Sequence, residues 1–174
     1  MKIRRSDRYH VSPQVMFDVI SRKDYQERKC ADSGALAYRV EVRERGDERV
    51  IVAERTLPTA GFPALIDRFL SGRVTSTETI TWAGAGADGG RSARVSVNFA
   101  AAPARMTGTV LLSPAGTGCT IDLDLELRVP VPLLGARIEN LAAPLVHQLV
   151  EAERSTVRAW LASRTPMNQR HPTS

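Results

Sequence analysis

The most pointed chemical signature in this 174-residue chain is Gly84-Ala85-Gly86-Ala87-Asp88-Gly89, which matches the dinucleotide pattern GxGxxG letter for letter. That pattern holds a pyrophosphate only where a strand turns into a helix whose N-terminal N–H groups face the ligand. Here residues 91–99 continue in strand-like alternation, so the glycines read as a hairpin loop and no NAD or FAD is expected. The histidines, the usual general bases, are not poised for work. His147 falls on the polar side of a long helix, His171 in the C-terminal tail, and His10 beside Val11 on the outer face of the first strand. The serines lack a GxSxG elbow, and neither HExxH nor a Walker loop occurs. Cys30 and Cys119 have no CxxC or Cys/His spacing and read as free thiols, not as a disulfide or zinc ligands. No catalytic residue, metal ligand or cofactor is therefore assigned.

One carboxylate stands out by position. Residues 73–82 alternate, with Val74, Ser76, Glu78, Ile80 and Trp82 on one face and four threonines on the other. A carboxylate on an apolar face must find a partner or have its pKa raised. Glu78 is thus either a ligand-binding group or a residue near the rim of the sheet that reaches water.

The element that must position such a residue is near the end of the chain. At 100° per residue, Leu134, Ile138, Leu141, Leu145, Leu149, Ala152, Thr156, Ala159 and Trp160 share one band, opposite Arg137, Asn140, His147, Glu151, Arg154 and Arg158. The pattern predicts one amphipathic helix over residues 134–164, roughly 45 Å long, with a sheet of comparable breadth against it. Pro130 and Pro132 keep the preceding segment extended, and Pro144, on the polar side, is expected to bend the helix around its sheet. The second half of the band narrows to Ala152, Thr156 and Ala159, leaving space that other side chains or a ligand must fill.

Seven strand-like segments precede that helix. Residues 3–11 form the first, with Ile3, Tyr9 and Val11 on one face. Ser12-Pro13 caps a short helix through Val15, Met16, Val19 and Ile20, and a second runs from Tyr25 to about Ala31. Arg22, Lys23, Arg28 and Lys29 on these helices read as an exposed face. A hairpin follows, with Leu36, Tyr38, Val40 and Val42 alternating against Arg39, Glu41 and Arg43, and residues 49–57 returning after Gly46-Asp47. Phe62-Pro63 opens a brief helix in which Leu65, Ile66, Phe69 and Leu70 crowd one side and which Gly72 closes. It is either a plug over the open end of the core or a mobile lid. After residues 73–82 come three more strands, at 93–99, 105–113 and 120–129.

The totals suit one soluble domain over residues 1–164, with a flexible tail at 165–174. Hydrophobic content is 43% and charged content 25%, and no 18-residue apolar run or secretory signal is present, so no integral membrane segment is expected and the cytoplasm is the default location. The net charge of +5 comes from scattered arginines with only 5% aromatics, which argues against nucleic acid as a partner. A homodimer is left open.

The order strand, two short helices, antiparallel strands and one long C-terminal helix resembles the helix-grip fold of the START-like (SRPBCC) superfamily, which includes lipid-transfer domains, pollen-allergen-like proteins and polyketide cyclases. More narrowly, Pro130-Val131-Pro132-Leu133-Leu134-Gly135-Ala136-Arg137-Ile138-Glu139, the segment through Asp24-Tyr25 and the helix inserted before the fourth strand resemble an uncharacterised bacterial branch, a domain of unknown function. The resemblance implies an α+β fold, a curved antiparallel sheet of about seven strands wrapped around the C-terminal helix, with an apolar cavity between. By parity along each strand, the residues expected to line it are Tyr38, Val40, Glu78, Trp82, Val97, Phe99, Met106, Val110, Leu123 and Leu125. Leu149, Ala152 and Thr156 are expected from the helix, and Leu65 and Phe69 at the mouth.

The function expected from this is non-enzymatic binding or transport of a hydrophobic small molecule, a lipid or polyketide-like compound. Two alternatives stand beside it. One is a polyketide cyclase/aromatase-like enzyme in which Glu78 and Tyr38 position and deprotonate the substrate. The other is a protein-interaction module with a filled core, using the outer face of the sheet.

Overall fold

A computed structural model describes residues 1–70, 72–100 and 102–164, apart from the side chains of Phe69 and Arg164. The expected tail at 165–174 lies outside the described residues. Strand β1 (Lys2–Tyr9) is followed by helices α1 (Pro13–Ile20) and α2 (Lys23–Asp32). Then come β2 (Ala37–Arg45), β3 (Glu48–Pro58), helix α3 (Ala64–Leu70), β4 (Arg73–Trp82), β5 (Arg91–Phe99), β6 (Arg105–Ala115), β7 (Gly118–Arg128) and helix α4 (Gly135–Arg164).

The seven strands form one curved antiparallel sheet in the order β1-β7-β6-β5-β4-β3-β2. Helices α1 and α2 therefore carry the chain from one edge of the sheet to the other. The Gly84–Gly89 segment is the β4–β5 hairpin loop, closed by Gly86 N–H donating to the Gly90 carbonyl at 2.8 Å. Curvature has a local source at Gly108, which sits opposite Leu125 in the β6–β7 ladder. A Cβ there would stand 2.0 Å from the Asp124 carbonyl oxygen, so the two backbones approach more closely than any side chain permits.

Each short helix is fixed by identifiable chemistry. The Ser12 hydroxyl accepts from Val15 N–H at 3.3 Å and Pro13 occupies the first turn. Met16, Phe17, Val19 and Ile20 are the buried face, while Val15 is 47% exposed, so Phe17 takes the inward place expected of Val15. The Phe17 ring meets Trp82 edge-on at 5.7 Å, with the Arg91 guanidinium 3.9 Å and the Arg49 guanidinium 5.0 Å from its centroid. The α3 insertion is tied at its base. Thr59 N–H donates to the Gly72 carbonyl at 3.1 Å, and the Thr59 hydroxyl donates to Asp67.

The long helix runs as expected from the sequence, with Pro144 inside it and exposed to solvent. Its buried band is displaced from the expected one toward Val146, Val150 and Val157, while Ala159 is exposed. The small residues of its second half do not border an open space. Thr156 donates to Asp32 Oδ2 of α2 at 2.8 Å, with the Ala152 carbonyl as a second acceptor at 3.1 Å, and the Trp160 ring meets Tyr25 of α2 edge-on at 5.6 Å. Small side chains here let α2 come close. The larger interior space lies beside the first half of the helix, and a smaller one beside Val150, Arg154 and Val157.

Candidate functional site: a cavity between the sheet and the long helix

A cavity of about 220 Å³ lies between the concave face of the sheet and the first half of α4. Its walls are overwhelmingly apolar, because alternate residues of β4 to β7 point inward and present branched or aromatic side chains. From the sheet, Val97, Phe99, Met106, Val110, Leu123 and Leu125 line it, and from α4, Ile138, Ala142, Leu145 and Leu149. Phe62, Ile66 and Leu70 from the α3 insertion also line it, together with Val131.

Of the residues expected at this site, Glu78, Val97, Phe99, Met106, Val110, Leu123, Leu125 and Leu149 are brought together on the cavity wall. Others are placed elsewhere. Val40 is 3% exposed and packs with Cys30 and Ala53 beneath α2, which fills that end of the sheet. Tyr38 is 45% exposed, because β2 is an edge strand and α2 does not cover its first residues. Trp82 lies under α1 and borders a separate void of about 90 Å³. Thr156 is hydrogen-bonded to Asp32 of α2, and neither it nor Ala152 lies on the cavity wall. On α3 the inward positions belong to Ile66 and Leu70 rather than Leu65, and the side chain of Phe69 lies outside the described residues.

One corner of the cavity is polar. Glu78 points inward from β4, as its parity requires, and does not reach water at a rim. Its Oε2 accepts a hydrogen bond from Lys29 Nζ at 2.7 Å, and Lys29 Nζ lies 3.5 Å from Glu153 Oε1 on α4. Lys29 is only 3% exposed, so the expectation of an exposed basic face on α2 fails at this residue. The reason is helical geometry. Tyr25, Gln26, Lys29 and Cys30 form the buried stripe of α2, and Lys29 could be placed there because a carboxylate waits beneath it.

Burial alone would push the Glu78 carboxyl up, but the Lys29 ammonium and the Arg55 guanidinium outweigh it and hold the group well below the usual carboxylate range. Burial likewise opposes the Lys29 charge, and Glu153 and Glu78 more than compensate, raising its pKa. Both groups are therefore ionised at neutral pH. Tyr38 is exposed and does not line the cavity with Glu78, so the pair required by a cyclase-like reading does not share its wall.

Arg55 is the site residue that sequence reasoning missed. It shares parity with Ile51, Ala53 and Leu57 on β3, a cation on an apolar face and the same kind of signal that exposed Glu78. Its side chain lines the cavity beside Ser76 and Glu78, and its Nε is buried without a hydrogen-bond partner.

Comparison with known proteins agrees with this architecture. The chain covers 95% of itself and 99% of the Thermus thermophilus protein TTHA0849, at a TM-score of 0.65 and 14% identity. It covers 96% of both chains for the Zhui aromatase/cyclase from Streptomyces sp. R1128, at a TM-score of 0.61 and 11% identity. For a STAR-related lipid transfer protein from Xanthomonas axonopodis the figures are 90% and 85%, a TM-score of 0.56 and 16% identity. At these identities the likeness shows the fold, the START-like helix grip. An uncharacterized protein of Mycobacterium tuberculosis is 25% identical over 124 residues, 69% of this chain and 71% of its own. The family described as "Protein of unknown function (DUF2505)" matches residues 5–161.

Proposed function

The chain belongs to the DUF2505 family of unknown function, and we propose that it binds and carries a hydrophobic small molecule, lipid or polyketide-like, without transforming it. The observation that supports this reading most is the cavity itself. Protein interiors pack to crystal-like density and keep few voids larger than a water molecule. A space of about 220 Å³ walled by Val, Leu, Ile, Phe and Met is far beyond that, and filling it with an apolar guest recovers dispersion contacts and removes apolar surface from water. Structural neighbours whose names include lipid transfer and aromatase/cyclase add support at the level of the fold.

No helix among the described residues is long and apolar enough to cross a membrane, and two buried free thiols fit a reducing compartment, so the reading includes a cytoplasmic location. Native mass spectrometry of the gently purified protein, followed by thermal shift with a lipid panel, tests the proposal. A bound apolar molecule released on denaturation and a rise in Tm with at least one lipid class are expected. A bare protein that no lipid stabilises would sink it.

A further inference from the structure

We propose that the guest is a small amphipathic acid whose single carboxylate docks on Arg55 in the polar corner of the cavity. The inference rests on the cavity-binding reading above and adds the chemistry of the head group. Three observations carry it. First, Arg55 lines the cavity, its Nε is buried and unpartnered, and no hydrogen bond or ion pair reaches its guanidinium among the described residues. A desolvated donor left unmade is costly, and a guanidinium fork matches a carboxylate in two parallel hydrogen bonds.

Second, the charge of the corner leaves room for at most one further anion. Lys29 is engaged by Glu78 at 2.7 Å and Glu153 at 3.5 Å, so its charge is already answered from two sides. Glu153 is 45% exposed and screened by water, whereas the buried Nε of Arg55 has no hydrogen-bond partner. Formally Lys29 and Arg55 are balanced by Glu78 and Glu153. Because Glu153 is the exposed one, the inner corner has room for at most one further negative charge, which suits a monoanion better than a doubly charged phosphate. Third, the volume limits the tail. About 220 Å³ exceeds the roughly 150 Å³ of an apolar cavity that takes benzene and falls below the roughly 300 Å³ where drug-sized pockets begin. A single short chain or one or two rings fit within it, whereas a two-chain lipid would have to extend outside it.

The test uses matched acid and alcohol pairs on the full chain: decanoate with decan-1-ol, and 2-naphthoate with 2-naphthylmethanol, measured by titration calorimetry at neutral pH. In the wild type at least one acid should bind about tenfold or more tightly than its alcohol, the scale of a charge-assisted hydrogen-bonded pair. In Arg55→Met that preference should collapse toward unity, and in Arg55→Lys it should be partly kept, because the charge remains without the fork. Should the alcohols bind the wild type as tightly as the acids, the head-group inference is overturned while the cavity reading stands. If neither member of either pair binds, the head-group inference falls, and the cavity reading is decided separately by the lipid panel. The wild-type comparison decides the matter even if a variant folds poorly.

Discussion

Lys29 and Glu78 are the two residues whose placement is most exacting, since each is charged and almost without access to solvent. Removing one partner from such a pair leaves the other buried and uncompensated, whereas replacing both with apolar groups of similar volume is often neutral or better. Glu78→Gln should therefore cost about 3–5 kcal/mol in chemical denaturation, and the double variant Lys29→Met with Glu78→Leu should recover most of that loss. The pH dependence follows from the direction of each shift. The depressed Glu78 pKa contributes stability above its unfolded value of about 4.3, and that contribution is lost as pH falls through the lower folded value. The raised Lys29 pKa contributes below about 10.4 and is lost as pH rises through its higher folded value. Thermal unfolding of wild type and Glu78→Gln across an acid series should show the gap between them narrowing below about pH 4, and a constant gap would contradict the ionised pair.

Among the elements, β6 shows how one missing side chain shapes a site. The added Cβ of Gly108→Ala would meet the Asp124 carbonyl oxygen at 2.0 Å and the Leu125 Cα at 2.8 Å, both backbone atoms that cannot swing aside. The ladder must shift to admit it, at a cost of about 1–3 kcal/mol by analogy with overpacked interiors. A lower denaturant midpoint with an unchanged slope is the expected signature. The loop before α4 offers the converse. Leu133 has φ +63° and is fully exposed, a left-handed conformation that disfavours a side chain by about 1–2 kcal/mol. Leu133→Gly should thus raise Tm slightly, the relief of strain being offset in part by the freer unfolded chain.

For the molecule as a whole, the cavity is a trade between stability and room. Ala142 faces the void from α4, so Ala142→Leu puts three more carbons where there is now no protein. Filling should stabilise the unliganded protein by about 0.5–2 kcal/mol and at the same time weaken the thermal response to any lipid that shifts the wild type. A variant that gains stability and still responds fully would place the guest elsewhere. The same balance explains why α3 matters. Its Ile66 and Leu70 form part of the wall, so the cavity is lined by an insertion held at its base through Thr59 as well as by the sheet.

How much of this was legible beforehand depended on the range of the interaction involved. Strand alternation, the Ser12-Pro13 cap, the proline-bounded start of the long helix and the hairpin nature of the glycine loop are properties of neighbouring residues, and local stereochemistry decides them within a few positions. Parity likewise marked Glu78 as an inward carboxylate, and it marked Arg55 and Lys29 just as clearly, had the stripe through Tyr25 and Lys29 been weighed against the basic composition of α2. What the linear pattern lacks is depth. Whether an inward face meets a helix, as at Val40 and Thr156, or meets space, as at Val97 and Leu149, depends on where α2 crosses the sheet. That crossing joins residues 49 apart in the case of Lys29 and Glu78, and 124 apart in the case of Asp32 and Thr156. Periodicity thus determined the elements and their inner faces by itself. Only the packing of α2 and α4 over the sheet decided which of those faces fill one another and which enclose a void, because a gap belongs to the distance between elements and to no residue alone.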